Sequence, residues 1–244
     1  MAHNSEIGHA KNLANFEKLI SFCIGLGNVY KPAKNAHQIA AMQAKFETAK
    51  SAHDAANSTK TILDNSYNSR RIFFDQLPGL SSRIIYALDS TDASPDVVND
   101  AKRWKRKIRG QRSTPKPKKT DPAATVPATI SDSQRSYDKL IEHLSKLTDV
   151  LRMEPNYQIN EPDLSIAGLD QTIATGTALN SAVINSKTEW NMKQLNRNKE
   201  LYDKKTGLVT DGNDVKLYLK SIFGLNSPEY KIIRTFEFKY LNSK

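Results

Sequence analysis

Apolar residues along 11–27 recur at helical spacing, with Leu13, Phe16, Leu19, Ile20, Cys23 and Ile24 on one face. Gly25 and Gly27 weaken the far end of that stretch, and Lys31-Pro32 closes it. From about Ala36 to Asp75, alternate steps of three and four from Ile39 visit Met42, Phe46, Ala49, His53, Ala56, Lys60, Leu63, Tyr67, Arg70 and Phe74. This predicts a long amphipathic helix with a small-residue, imperfect seam, one member of a bundle rather than a free coiled coil. Pro78-Gly79 is expected to break it, and Ile84, Ile85 and Leu88 predict a short helix over 80–89. Ser94-Pro95-Asp96 then supplies a cap, a proline at the first helical position and an early acid. In the helix it starts, Val97, Val98, Ala101, Trp104 and Ile108 share one arc, and Lys102, Arg103, Arg106, Lys107 and Arg109 lie opposite. Lys105 sits at the edge of the apolar arc, and Gly110 is placed to end the helix.

The stretch that follows, QRSTPKPKKTDPAATVPATI, has prolines at 115, 117, 122 and 127 and little that could pack, so it reads as a linker. Beyond it the same order returns. Tyr137-Asp-Lys-Leu-Ile141 repeats Phe16-Glu-Lys-Leu-Ile20, with a capping-box pattern from Ser131 and Gln134 just upstream. Ile166-Ala-Gly-Leu169 matches Ile39-Ala-Ala-Met42, and the walk from it lands on Ile173, Gly176, Asn180, Val183, Lys187, Trp190, Gln194, Arg197 and Leu201. Gly207 and Asp211-Gly212 are expected to end this second long helix, with a short one over 215–223. Ser227-Pro228-Glu229 copies Ser94-Pro95-Asp96. The offset between copies drifts from 121 (Phe16 to Tyr137) through 127 (Ile39 to Ile166) to 133 (Ser94 to Ser227), as small insertions in the connections would produce. The last segment from Thr235, TFEFKYL, alternates as a strand does, while analogy with the first copy argues for helix.

The expected fold is therefore all-α: two tandem related helical bundles, a duplicated four-helix unit with one long helix in each. One bundle covers 10–110 and ends in the basic helix, a flexible Pro/Lys linker covers 111–130, and the second bundle covers 131–244. Phe16-Glu-Lys-Leu-Ile20, Phe22-Cys23 and Gly27 to Tyr30-Lys-Pro32 resemble an uncharacterised bacterial family of two-repeat helical proteins. The resemblance covers the helical modules and not the linker. It implies duplication and no particular activity.

Charge changes the picture more than composition does. The net charge is +10 in 244 residues. Residues 1–101 carry ten basic and ten acidic side chains, and 120–244 carry sixteen of each. The excess lies wholly in 102–119, where Lys102, Arg103, Lys105, Arg106, Lys107, Arg109, Arg112, Lys116, Lys118 and Lys119 meet no acid. A field this local acts on a polyanion rather than on the fold. Ten phosphate contacts would give a salt slope of at most about −9 on duplex DNA, or about −7 on single strands. No RNP, zinc-finger or helix-turn-helix signature accompanies the cations, so binding is expected to follow backbone charge, ribosomal RNA included. Trp104 could stack on a base, but its wheel position assigns it to anchoring the helix on the first module.

Catalytic signatures are sparse. His3, His9, His37, His53 and His143 are dispersed with no HExxH spacing, and surface or satisfied seam positions account for them. Cys23 reads as a small buried hydrophobe, and the single cysteine fits a reducing compartment. Gly25-Leu-Gly27 follows a helix and lacks the third glycine of a phosphate loop, while Asp89 and Asp92 read as turn residues. Lys60, Arg70, Lys187 and Arg197 occupy equivalent seam places, with heads reaching solvent, receiving an anion or fixing register by salt bridges. No stretch approaches the roughly 20 apolar residues of a membrane span, and no signal peptide is visible, so cytoplasmic is the default. The expectation is a non-enzymatic protein without cofactor or metal that attaches to nucleic acid or another polyanion through 102–119. The alternative is a scaffold whose bundles self-associate as a homo-oligomer or bind a partner's helices; the Ala/Ser/Thr/Asn-rich seams would allow close backbone approach.

Overall fold

The computed structural model describes residues 8–111 and 135–240. The linker expected over 111–130 lies outside them except for Gln111, as do Ser131 and Gln134 of the expected capping box. All regular structure among the described residues is helical: α1 His9–Gly25, α2 Ile39–Asp89, α3 Pro95–Arg109, α4 Tyr137–Arg152, α5 Ile166–Tyr202, α6 Leu208–Phe223 and α7 Pro228–Ile233. Short 3-10 turns at Gly27–Val29 and Asn35–His37 lie between α1 and α2. No helix among the described residues is long and apolar enough to cross a membrane.

Three expectations are corrected, two of them at glycine and proline positions. Pro78-Gly79 does not end α2, which continues to Asp89. Phe74, Leu77, Ser81, Ile84, Ile85 and Leu88 form one unbroken buried stripe through that point, with Gly79 exposed on the other side. Burying each large side chain contributes about 1.5–3 kcal/mol, so several together outweigh the roughly 3 kcal/mol cost of an interior proline. Asp211-Gly212 likewise lies inside α6, not at a break. A Cβ on Gly212 would sit 2.8 Å from the Phe238 ring, so this glycine serves close approach rather than a turn. Residues 235–240 are neither strand nor helix. The alternation there is real, since Phe236, Phe238 and Tyr240 pack on the core. It is met by α1 instead of a second strand: Asn12 Nδ2 donates to the Lys239 carbonyl (2.9 Å), Lys239 N–H donates to Asn12 Oδ1 (3.1 Å), and Asn15 Nδ2 donates to the Glu237 carbonyl (2.8 Å).

The described residues fall into two compact units, one drawn from Met1–Leu63 with Ser186–Lys244 and the other from Asp64–Asn185. The divisions fall within α2 and α5 rather than at 111–130. In the first unit α1 packs on α6, and its core joins Phe16, Leu19 and Met42 to Leu201, Val209, Val215 and Ile233. Cys23, 1 % exposed, belongs to this core, and burial pushes its thiol up to about 12. In the second unit α3 packs on α4, and Ile84, Ile85, Leu88 and Ile108 join Leu144, Leu147, Leu151 and Leu169. Each core thus draws on chain from both sides of residues 112–134.

Two loops share one device. The Tyr30 hydroxyl donates to the His37 carbonyl at 2.7 Å, and the Tyr157 hydroxyl donates to the Leu164 carbonyl at 2.8 Å, both buried and both spanning seven residues. The buried positions of α1 and α4 also correspond, Asn12 with Leu140, Asn15 with His143, Phe16 with Leu144, Leu19 with Leu147 and Cys23 with Leu151. That register differs from the one carried by matching letters, which aligned Phe16 with Tyr137. Phe16 is fully buried, whereas Tyr137 is only partly so.

Candidate nucleic-acid interface

α3 begins and ends as its residues dictate. Ser94 Oγ accepts from the Val97 N–H at 3.4 Å, Pro95 occupies the first turn, and Asp96 meets the positive helix end. At the far end Gly110 is left-handed (φ 67°); its N–H donates to the Lys107 carbonyl at 3.1 Å, and the Gln111 N–H donates to the Arg106 carbonyl at 2.8 Å. This pair of bonds closes the helix with Arg106, Lys107 and Arg109 against its negative end. Val98, Ala101 and Ile108 are buried, so the seam expected along α3 is the packed one.

Of the ten cations expected to bind, six lie on α3 and four, Arg112, Lys116, Lys118 and Lys119, fall outside the described residues. Lys102 Nζ lies 3.2 Å from Asp89, and it is the one α3 cation in a salt bridge among the described residues. Arg109 donates to Ser82 Oγ (2.9 Å) and to the Pro78 carbonyl (3.2 Å). Lys105 stands over the Tyr86 ring at 5.3 Å, and Lys107 and Arg103 lie 5.0 and 5.7 Å from the Trp104 ring centre. Arg106 is half-buried. Tyr86 is 68 % exposed, an aromatic ring open to solvent beside Lys105. Trp104 lies 5.8 Å from the His143 ring of α4 and packs on the core that holds Ile84, Ile85 and Leu88 together with Leu144 and Leu147, so it meets chain on both sides of the linker.

The four seam cations expected to be equivalent part company. Arg70 lies 4.3 Å from the Tyr137 ring centre and Lys60 5.7 Å from that of Trp190, Lys187 is exposed, and Arg197 is 9 % exposed and hydrogen-bonded to Asn198.

Sequence reasoning passed over one cluster, in the first unit. His37 Nε2 lies 3.7 Å from Asp211 Oδ1 and 3.8 Å from Asp214 Oδ2, with Lys34 Nζ 3.0 Å from Asp214 and 3.8 Å from Asp211. The ring and the carboxylates are far apart along the chain, so no spacing motif joins them. The available signal was Asp211, an acid in the place that Ile84 would fill if the expected duplication is carried forward at the 127 offset.

No protein-family model, curated protein or solved structure matches the chain. The functional reading therefore rests on the residues themselves.

Proposed function

We propose that this is a non-enzymatic helical protein that attaches to nucleic acid through the basic segment 102–119, with α3 as its ordered part. One observation carries the reading: five of the six α3 cations have no carboxylate partner among the described residues, and one of them, Lys105, stands over the exposed ring of Tyr86. Had acids from either unit neutralised them, the segment would be internal glue. Unpaired cations with an exposed ring suit a single-stranded backbone whose bases can stack. Binding is then salt-dependent and tolerant of sequence. The test is a gel shift with single-stranded RNA at rising salt. Neutralising Lys102, Arg103, Lys105, Arg106, Lys107 and Arg109 is expected to abolish retention and flatten the salt dependence; unchanged affinity removes the reading.

The chain is also read here as a tandem duplication whose copies exchange halves. The matched tyrosine bonds, the matching buried registers of α1 and α4, and the Ser94 and Ser227 caps on equivalent N–H groups support this. In this reading each unit combines the first half of one copy with the second half of the other. A scaffolding role has separate support in Met192 and Leu195, 61 % and 64 % exposed on one face of α5. Light scattering at high concentration tests it, and a strict monomer leaves self-association without support.

A further inference from the structure

The cluster around His37 has the chemistry of a cation site. Its three residues offer one ligand atom each, His37 Nε2 and a carboxylate oxygen from Asp211 and from Asp214, all within 4.8 Å of one another. His37 and Asp211 are 5 % and 4 % exposed. His37 Nε2 is enclosed yet makes no hydrogen bond, although it faces two carboxylates. A buried polar atom left so costs about 1–3 kcal/mol, which a fold avoids unless something else satisfies it. Ligands about 2.1 Å from one metal at tetrahedral angles stand roughly 3.4 Å apart. The observed 3.7 and 3.8 Å from the imidazole to the two carboxylates need only a slight contraction to reach that.

We propose that His37, Asp211 and Asp214 bind a divalent first-row transition cation through these three atoms, with water completing the shell. One imidazole and two carboxylates suit Zn2+, Mn2+ or Fe2+, whereas the nitrogen disfavours Mg2+ and Ca2+. The support is built in from both sides. The Tyr30 hydroxyl donates to the His37 carbonyl and fixes the 3-10 turn that carries the ring, while Asp211 and Asp214, three apart, project from the first two turns of α6. Lys34 is a tethered competitor: its ammonium sits against both acids, but half of its side chain is exposed, so it can swing away when a doubly charged ion enters.

The test is titration of the metal-free, tag-free full chain with Co2+ near neutral pH, followed by competition with Zn2+ and with Mg2+. One equivalent of Co2+ with a visible d–d band, displaced by Zn2+ and not by Mg2+, is expected. His37→Ala and Asp214→Asn should each weaken uptake by more than about tenfold. Lys34→Ala should tighten it, and His53→Ala should leave it unchanged. Asp214 is partly exposed, so its variant keeps the test valid if His37→Ala fails to fold. No uptake by the unaltered chain, uptake undiminished in Asp214→Asn, or preference for Mg2+ overturns the assignment.

Discussion

Tyr30 holds His37 by the backbone, its buried hydroxyl donating to the carbonyl oxygen of the residue whose ring faces Asp211. One bond therefore serves both the loop between α1 and α2 and the position of the imidazole. Tyr30→Phe removes a buried donor and leaves that carbonyl short of a partner, so a loss of about 1–2 kcal/mol in urea unfolding is expected. Tyr157→Phe, its counterpart on the Leu164 carbonyl, should cost about the same. The two variants are expected to differ in one respect, because only Tyr30→Phe should weaken Co2+ uptake.

If the copies exchange halves, the linker is not where the chain divides energetically. Fragments 1–111 and 131–244 each hold only part of either core, for Phe16 and Met42 pack with Val209 and Ile233 while Ile84 and Ile108 pack with Leu144 and Leu169. Each fragment alone is expected to be poorly folded or to pair with itself. Mixing them should restore the full helical signal with one-to-one stoichiometry, read by circular dichroism and analytical ultracentrifugation. Two fragments that fold independently and ignore each other would return the division to 111–130.

Helix after helix was legible where a single face carries the pattern: Ile166 to Leu201 in α5, and the Ser-Pro-acid starts of α3 and α7. What misled was local punctuation read without its face. Pro78 and Gly212 are breakers by type, yet Pro78 lies beside an unbroken buried stripe and Gly212 lies under the Phe238 ring. The Phe16–Tyr137 register rested on the letters shared by Lys18-Leu19-Ile20 and Lys139-Leu140-Ile141, whereas the buried positions correspond in another register with different letters, such as Cys23 and Leu151. The basic segment could be read because its charge is contiguous. The His37 cluster could not, because proximity across so many residues is a property of packing.

Gly168 stands in the first turn of α5, and a glycine there has a local cause. A Cβ at this position would collide with the Pro162 carbonyl oxygen, which is backbone and cannot step aside. Ser165 also ties the turn together, its hydroxyl donating to that same carbonyl and accepting from the Gly168 N–H. Gly168→Ala should therefore destabilise by about 1–3 kcal/mol despite improved helix propensity, measured by thermal and urea unfolding. The same substitution at exposed Gly79, with no atom within 4 Å of a new Cβ, should be neutral or stabilising.

His9 provides a pH prediction. Its ring shares a 2.8 Å hydrogen bond with the Tyr202 hydroxyl and lies 5.9 Å from the His53 ring, with the Arg197 guanidinium near enough to act on its charge. Burial first, then Arg197 and His53, lower its pKa to about 4 from 6.5. Because the folded value is depressed, the unfolded chain binds the extra proton between these limits. Stability is full above pH 6.5 and falls as pH drops toward 4. His9→Gln should make the decline shallower, and NMR should show the His9 ring titrating well below pH 6.

Tyr86 and Trp104 separate binding from packing on the proposed interface. Both rings lie beside α3 cations, but Tyr86 is 68 % exposed whereas Trp104 is partly buried against His143. Tyr86→Ala should leave unfolding unchanged and weaken single-stranded RNA binding by about 1–3 kcal/mol, the worth of one stacked base. Trp104→Ala should cost a fraction of the roughly 3–5 kcal/mol lost with a fully buried aromatic, and reduce binding only as far as α3 loosens. Salt then distinguishes charge from stacking: the Tyr86 variant should keep the slope of log affinity against log salt, while each lysine or arginine removed from contact should lower its magnitude by somewhat under one. A Tyr86→Ala protein that binds normally would make α3 a purely electrostatic surface, indifferent to whether its partner has bases at all.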